Sequence, residues 1–230
     1  MIAANGLLIE PEASCGCVCG FSLYSTVVFK TREVDRGWGW FCSTAPSSPV
    51  KHLAVNLGAP GDRRDADGTL WLSYPRPSIP LGLKLDLKID ILPGMGYFMI
   101  NPEDVEIKGT DKPWLFSFGC CGLTRCVIPV SKGEEGLYTV RLGFIEFEGA
   151  KPGQRVFDIK IQGRKVAEGF EILKEAGGAN IAVFKEFRGI KAGDTLTIEL
   201  IPVRETTDPR KAPILCALEI IREGLSLIHI

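Results

Sequence analysis

Eight cysteines, at positions 15, 17, 19, 42, 120, 121, 126 and 216, stand against two histidines, His52 and His229. Cys15-x-Cys17-x-Cys19 and Cys120-Cys121 are groupings a soft metal could use. Neither has the two-residue spacing of a zinc knuckle, and histidine ligands are scarce. This many cysteines suits an oxidising compartment, with one or two disulfides and some buried thiols. Cys216, inside Ile214-Leu215-Cys216-Ala217-Leu218, is expected to be a core thiol. The run Gly61-Asp62-Arg63-Arg64-Asp65-Ala66-Asp67-Gly68 offers carboxylates before a turn glycine, as a calcium loop does. The two interposed arginines would compete for those oxygens, so a salt-bridged β-turn is the expectation. No metal and no cofactor is expected.

A Ser-His-Asp arrangement would have to use His52, which stands just before an apolar run. The hydrolase elbow Gly-x-Ser-x-Gly and the phosphate-binding loops are absent, and Gly94-Met95-Gly96 lacks the third glycine and the helix of a dinucleotide fingerprint. No catalytic residue is expected and the chain is read as a non-enzyme. With 27 Lys+Arg against 28 Asp+Glu the net charge is −1, which leaves no basic footprint for nucleic acid. No apolar run reaches the roughly 20 residues of a membrane-spanning helix, so no membrane insertion is expected.

The elements that must position these residues are short strands. Residues 1–50 hold two strand-like runs, 7–10 and 22–30, around a Cys/Gly segment. Arg36-Gly37-Trp38-Gly39-Trp40-Phe41 and a Pro/Ser linker follow, with a boundary near Pro49. Met1 to Ile9 reads as a strand entered part-way, so the chain is expected to be part of a longer gene product with a signal peptide upstream. From Lys51, strands are expected at 53–57, 70–74, 83–91, 114–118, 126–130, 137–147, 155–161, 181–187, 195–202 and 214–221. That density predicts an all-β sandwich or jelly roll. Alternation over 138–144 sets Thr139 and Arg141 opposite the apolar residues. Phe157, Ile159 and Ile161 are likewise expected to point into the core. One helix is expected at 170–176, closed by Gly177-Gly178. Trp71 and Tyr74 are expected at the core and rim. Residues 224–230 are set aside as a tail, possible cloning or sequencing scar included.

Ala54-Val55-Asn56-Leu57-Gly58, followed by Asp65-Ala66-Asp67-Gly68 and Leu70-Trp71, resembles the opening of malectin domains. Gly136-Leu137-Tyr138-Thr139-Val140-Arg141-Leu142-Gly143-Phe144-Ile145-Glu146 and then Gly153-Gln154-Arg155-Val156-Phe157-Asp158-Ile159-Lys160-Ile161-Gln162-Gly163 resemble that family's central hairpin. Phe170-Glu171-Ile172 and the closing run Ile214 to Ile220 continue the likeness in the family's order. Residues 1–50, through Gly6-Leu7-Leu8-Ile9-Glu10-Pro11-Glu12-Ala13-Ser14, are similar to the last blade of bacterial quinoprotein-like (PQQ-type) β-propellers.

The resemblance implies a jelly-roll-like β-sandwich over 51–223 preceded by a propeller fragment over 1–50. It also implies a secreted or periplasmic bacterial location and non-catalytic binding of carbohydrate. Malectin-like domains stack aromatics on sugar rings and fix hydroxyls with carboxylates and amides. By that likeness the sugar-binding residues are Tyr97, Phe98 and Trp114 in loops, with Asp208 before the last strand. The family's Tyr-Phe pair after the first central strand falls on Glu148 and Gly149. That departure favours a rival in which the sugar site has decayed and the sandwich packs on its own propeller or another protein. A further alternative makes it the accessory domain of a quinone-dependent enzyme whose chemistry lies upstream.

Overall fold

The computed structural model describes residues 2–4, 7–10, 27–30, 38–42, 49–76, 85–101 and 104–224. The chain divides into two compact units, Met1–Gly37 and Trp38–Ile230. In the first, β1 (Ile2–Ala4), β2 (Leu7–Glu10) and β3 (Val27–Lys30) pair antiparallel in chain order, Ile2 opposite Ile9 and Leu7 opposite Lys30. Cys15, Cys17, Cys19, residues 43–48 and the tail 225–230 lie outside the described residues.

The second unit is a β-sandwich. One sheet has β14 (Val183–Ala192), β11 (Gly136–Phe144), β17 (Ala217–Arg222), β4 (His52–Leu57), β6 (Leu70–Tyr74) and β5 (Arg63–Arg64), in that order. All pairs are antiparallel except β4 with β6. The facing sheet runs β13 (Arg164–Glu171), β12 (Val156–Ile161), β15 (Thr195–Pro202), β10 (Leu123–Pro129) and β7 (Lys88–Ile91), antiparallel throughout. A third, three-stranded sheet orders β16 (Ile214–Leu215), β9 (Phe118–Cys121) and β8 (Tyr97–Met99).

The two-residue period of a strand explains the core. Tyr138, Val140, Leu142 and Phe144 alternate inward on β11, and Phe157, Ile159 and Ile161 do the same on β12, all essentially without exposure. Burial of each aliphatic or phenylalanine side chain in these sets stabilises the fold by about 1.5–3 kcal/mol. The sheets meet where the Phe144 ring lies 5.9 Å from that of Phe157 and 4.9 Å from that of Phe170. Cys216 is buried there, as expected, and the five cysteines among the described residues are free thiols.

The other face of the six-stranded sheet is covered in part by α1 (Pro113–Phe116), a single turn where a strand over 114–118 was expected. Pro113 has a fixed φ and no N–H to lose, so it suits the first turn of a helix and not the interior of a ladder. Leu115 and Phe116 are buried beneath it, and Asn56 Nδ2 donates to the carbonyls of Leu115 (2.8 Å) and Cys216 (3.1 Å). Gly143 leaves the space: a Cβ there would lie 2.9 Å from Phe184 Cε1 and 3.2 Å from Phe116 Cε1.

Beyond α1 the same face carries a polar row. His52 Nε2 lies 2.8 Å from Glu219 Oε1, Arg141 donates to Glu219 Oε2 at 2.6 Å, and Arg141 Nε is 3.5 Å from Glu186 Oε2. His52 is thus part of a cross-strand hydrogen-bonded array around Glu219.

Residues 38–42, expected with the N-terminal segment, pack in the second unit alongside β5. Gly39 and Asp62 exchange backbone hydrogen bonds of 2.9 and 2.6 Å. The buried Asp62 carboxylate accepts from Phe41 N (2.8 Å), Ser73 N (2.9 Å) and Ser73 Oγ (3.1 Å), and pairs with Arg76. Asp65 accepts from Trp71 Nε1 (3.0 Å) and Thr69 N (2.8 Å), while the Gly68 N–H donates to the Asp65 carbonyl at 3.2 Å. The Lys112 ammonium lies 3.5 Å from Asp65 and 2.7 Å from Asp67. The acidic run is therefore a salt-bridged turn with a lysine at its carboxylates.

The helix expected at 170–176 begins two residues later. Phe170 and Glu171 finish β13, and α2 spans Ile172–Ala176. Gly177 closes it at φ 80°, its N–H donating to Leu173 O at 3.0 Å.

Candidate functional site

After Phe144 the chain leaves β11 and runs through Glu146, Phe147 and Glu148 before returning as β12. Glu146 and Arg155, at the two ends of this connection, form a buried ion pair, Nε to Oε2 at 2.6 Å. The Glu146 carbonyl accepts from Asn180 N at 2.7 Å, which draws in the segment after α2. Asn180 holds φ 56°, a left-handed conformation that asparagine tolerates better than most side chains. Lys108 bridges to the same segment, donating from its N–H to Asn180 O (2.8 Å) and accepting from Ala182 N (2.8 Å).

These three segments enclose a cavity of about 430 Å³, lined by Ile100, Asp104, Val105, Glu106, Lys108, Phe147, Glu148, Ala179 and Asn180. Phe147 supplies an aromatic face, and Asn180 Nδ2 lies 3.3 Å from Glu148 Oε1. Phe98 meets Phe147 edge-on, ring centroids 5.5 Å apart, and so fixes its plane. An aromatic surface beside an amide, a carboxylate and an ammonium suits a polyhydroxylated ligand: the ring takes C–H faces and the polar groups take hydroxyls.

None of the four residues expected at the site, Tyr97, Phe98, Trp114 and Asp208, lines this cavity. Tyr97 and Phe98 are on strand β8, not in a loop, and neighbours on a strand project to opposite faces. Phe98 reaches the cavity through Phe147, whereas Tyr97 faces the side of its cross-strand partner Cys120. Burial, with Cys120 nearby, pushes the Tyr97 hydroxyl above the ordinary tyrosine range. Trp114 stands on α1 with its ring engaged: the Arg63 guanidinium lies 4.7 Å from its centroid, and Trp38 meets it edge-on at 5.7 Å. Asp208 sits in the turn before β16, bound to Arg210 through Nε (3.1 Å) and the backbone N–H (3.0 Å). The Arg210 side chain holds its carboxyl below the usual range.

Phe147 escaped the sequence reading because it stands one residue ahead of the position where the malectin-like aromatic pair was sought. Asn180 lies more than thirty residues further along the chain, and its one local signal is the Gly177-Gly178 turn before it.

Residues 127–207 match the family model of the Malectin domain. The chain is 33% identical over 102 residues to a probable LRR receptor-like serine/threonine-protein kinase, RFK1, of Arabidopsis thaliana. That match covers 40% of this chain and spans 10% of the kinase. Among solved structures, the ANX2 ectodomain from Arabidopsis thaliana aligns with TM-score 0.54 and 19% identity, covering 74% of this chain and 49% of that one. Beta-glucuronidase 2 of Bacteroides uniformis aligns with TM-score 0.56 and 17% identity, covering 94% of this chain and 25% of the enzyme. At these identities the structural likeness is one of fold: the chain has an all-β, malectin-like architecture.

Proposed function

We propose that the sandwich is a non-catalytic carbohydrate-binding module, with its sugar seat in the cavity around Phe147. The observation that carries this reading is the aromatic face of Phe147, braced by Phe98 and set beside Glu148 and Asn180. The malectin-domain match over 127–207 includes Phe147, Glu148 and Asn180 and supports it. Phe147 takes the stacking role and Phe98 positions it. Glu148 and Asn180 accept from and donate to sugar hydroxyls, and Lys108 adds a donor. A shallow aromatic seat of this kind gives modest affinity, since small ligands gain limited energy per atom.

The β1–β3 sheet is read as the C-terminal fragment of a propeller blade, supported by its antiparallel meander order. A periplasmic or extracellular location is read from the likeness to a receptor-like kinase and to the ANX2 ectodomain. The rival reading, a packing module with a decayed site, is favoured by Glu148 and Gly149 standing where the aromatic pair was sought. Titration of the ¹⁵N-labelled chain with glucose disaccharides separates the two. Saturable shifts confined to amides around Phe147, Glu148 and Asn180 support the sugar seat, and unmoved spectra favour the packing module.

A further inference from the structure

A second cleft of about 340 Å³ opens at the other end of the connection that carries Phe147. Gly153, Gln154 and Val156 form one wall, and Val203, Arg204, Glu205, Thr206 and Lys211 the other. Its apolar floor is closed by the Val203 N–H donating to Val156 O at 3.1 Å. The charge lining it differs from that of the first cavity. Asp104, Glu106 and Glu148 outnumber Lys108 around Phe147, whereas Arg204 and Lys211 outnumber Glu205 here. Among the described residues no carboxylate pairs with Arg204, and Lys211 Nζ reaches Asp208 only at 4.0 Å. By contrast Arg210, one residue before Lys211, is committed to Asp208. The Gln154 side-chain Oε1 accepts from Lys151 N at 2.9 Å, which leaves the side-chain amide NH2 of this lining residue as a further donor.

A concave site with two cations and an amide selects an oxyanion. The Thr206 hydroxyl at its wall is engaged with Asp208, accepting from its N–H (3.0 Å) and donating to its carbonyl (3.4 Å). The Glu146–Arg155 pair fixes both clefts: Glu146 O holds Asn180, and Arg155 donates to the carbonyls of Pro209 (3.0 Å) and Ala212 in the loop carrying Lys211.

We propose that this cleft is a second subsite taking the anionic group, carboxylate or sulfate, of an acidic saccharide. The inference rests on the carbohydrate reading but is carried by different residues.

The test is calorimetric titration of the full chain at low salt with four probes. These are a neutral glucose disaccharide, its glucuronate-containing counterpart, its sulfated counterpart, and inorganic sulfate. The wild type is expected to bind an acidic disaccharide about tenfold more tightly than the neutral one. Arg204→Ala/Lys211→Ala should abolish that preference while keeping the neutral affinity. Phe147→Ala should weaken all saccharides while keeping the preference. Whichever acidic probe is preferred identifies the group recognised. No preference in the wild type, or one that survives Arg204→Ala/Lys211→Ala, overturns the inference and leaves the Phe147 seat standing. An acidic preference lost in that double variant, with neutral and acidic affinities both unchanged in Phe147→Ala, supports the cationic cleft and overturns the seat. Sulfate bound without any saccharide preference overturns the inference, as the mark of a simple anion site.

Discussion

Arg155 Nε donates to Glu146 Oε2 across 2.6 Å, and both side chains are almost fully buried. Removing one partner strands a charge in a low-dielectric interior, so Glu146→Ala or Arg155→Ala should cost about 3–5 kcal/mol. Glu146→Leu/Arg155→Met, which removes both charges, should recover much of that loss. Urea denaturation midpoints check this. Losses under about 1 kcal/mol in both single variants would mean the pair does not anchor the two loops.

Glu219 contributes a pH dependence. Burial raises its carboxyl, but the His52 hydrogen bond and the charge of Arg141 outweigh that and hold it below the ordinary 4.5. A pKa depressed in the folded state gives stability that is present above the unfolded value and lost as pH falls through the folded one. Stability should therefore decline below about pH 4.5, and Glu219→Gln should flatten that limb. The same variant should lose about 1–3 kcal/mol at pH 7. Urea midpoints measured from pH 7 to 3 decide this, and parallel acid limbs would contradict it.

Gly143 gives α1 its room. Besides the two phenylalanines, an added Cβ would lie 3.1 Å from Ala217 Cβ. Gly143→Val should overpack this face and cost about 1–3 kcal/mol. Calorimetry should show a lowered Tm; an unchanged Tm would mean that the helix shifts freely on the sheet.

Burial pushes the Cys120 and Cys126 thiols up to about 12, and Cys216 higher still. At pH 8 their thiolate fractions are small, so native-state alkylation should be at least about a hundredfold slower than at exposed Cys42. Peptide mapping after brief iodoacetamide treatment reads this directly. Rapid labelling of Cys216 would show that the sandwich opens easily.

The part of the fold legible in the sequence was the part governed by alternation. The inward sets on β11 and β12 and the strand 195–202 were readable because buried apolar residues alternate with more exposed ones, and strand 70–74 because a short apolar run is bounded by turn residues. Strand β13 was missed: Arg164–Glu171 is an edge strand, mostly solvated on both faces, and carries little hydrophobic period. The turn at Pro113–Phe116 was misread because a short apolar run fits helix or strand equally well. At the candidate site, Phe98 was legible as an aromatic but its role beneath Phe147 was not. That contact joins β8 to the loop after β11, and one sequence does not encode which distant segments meet. Tyr97, its neighbour, went the other way through the pleat alone.

The account stands on Phe147 being the face on which a sugar ring rests. Calorimetric titration of the wild type and Phe147→Ala with the best-binding saccharide, at matched fold stability, measures this most directly. Loss of one stacking aromatic should weaken binding at least tenfold, about 1.4 kcal/mol or more. Equal affinities in the two proteins would contradict the account and move the carbohydrate site, or the function, elsewhere on the chain.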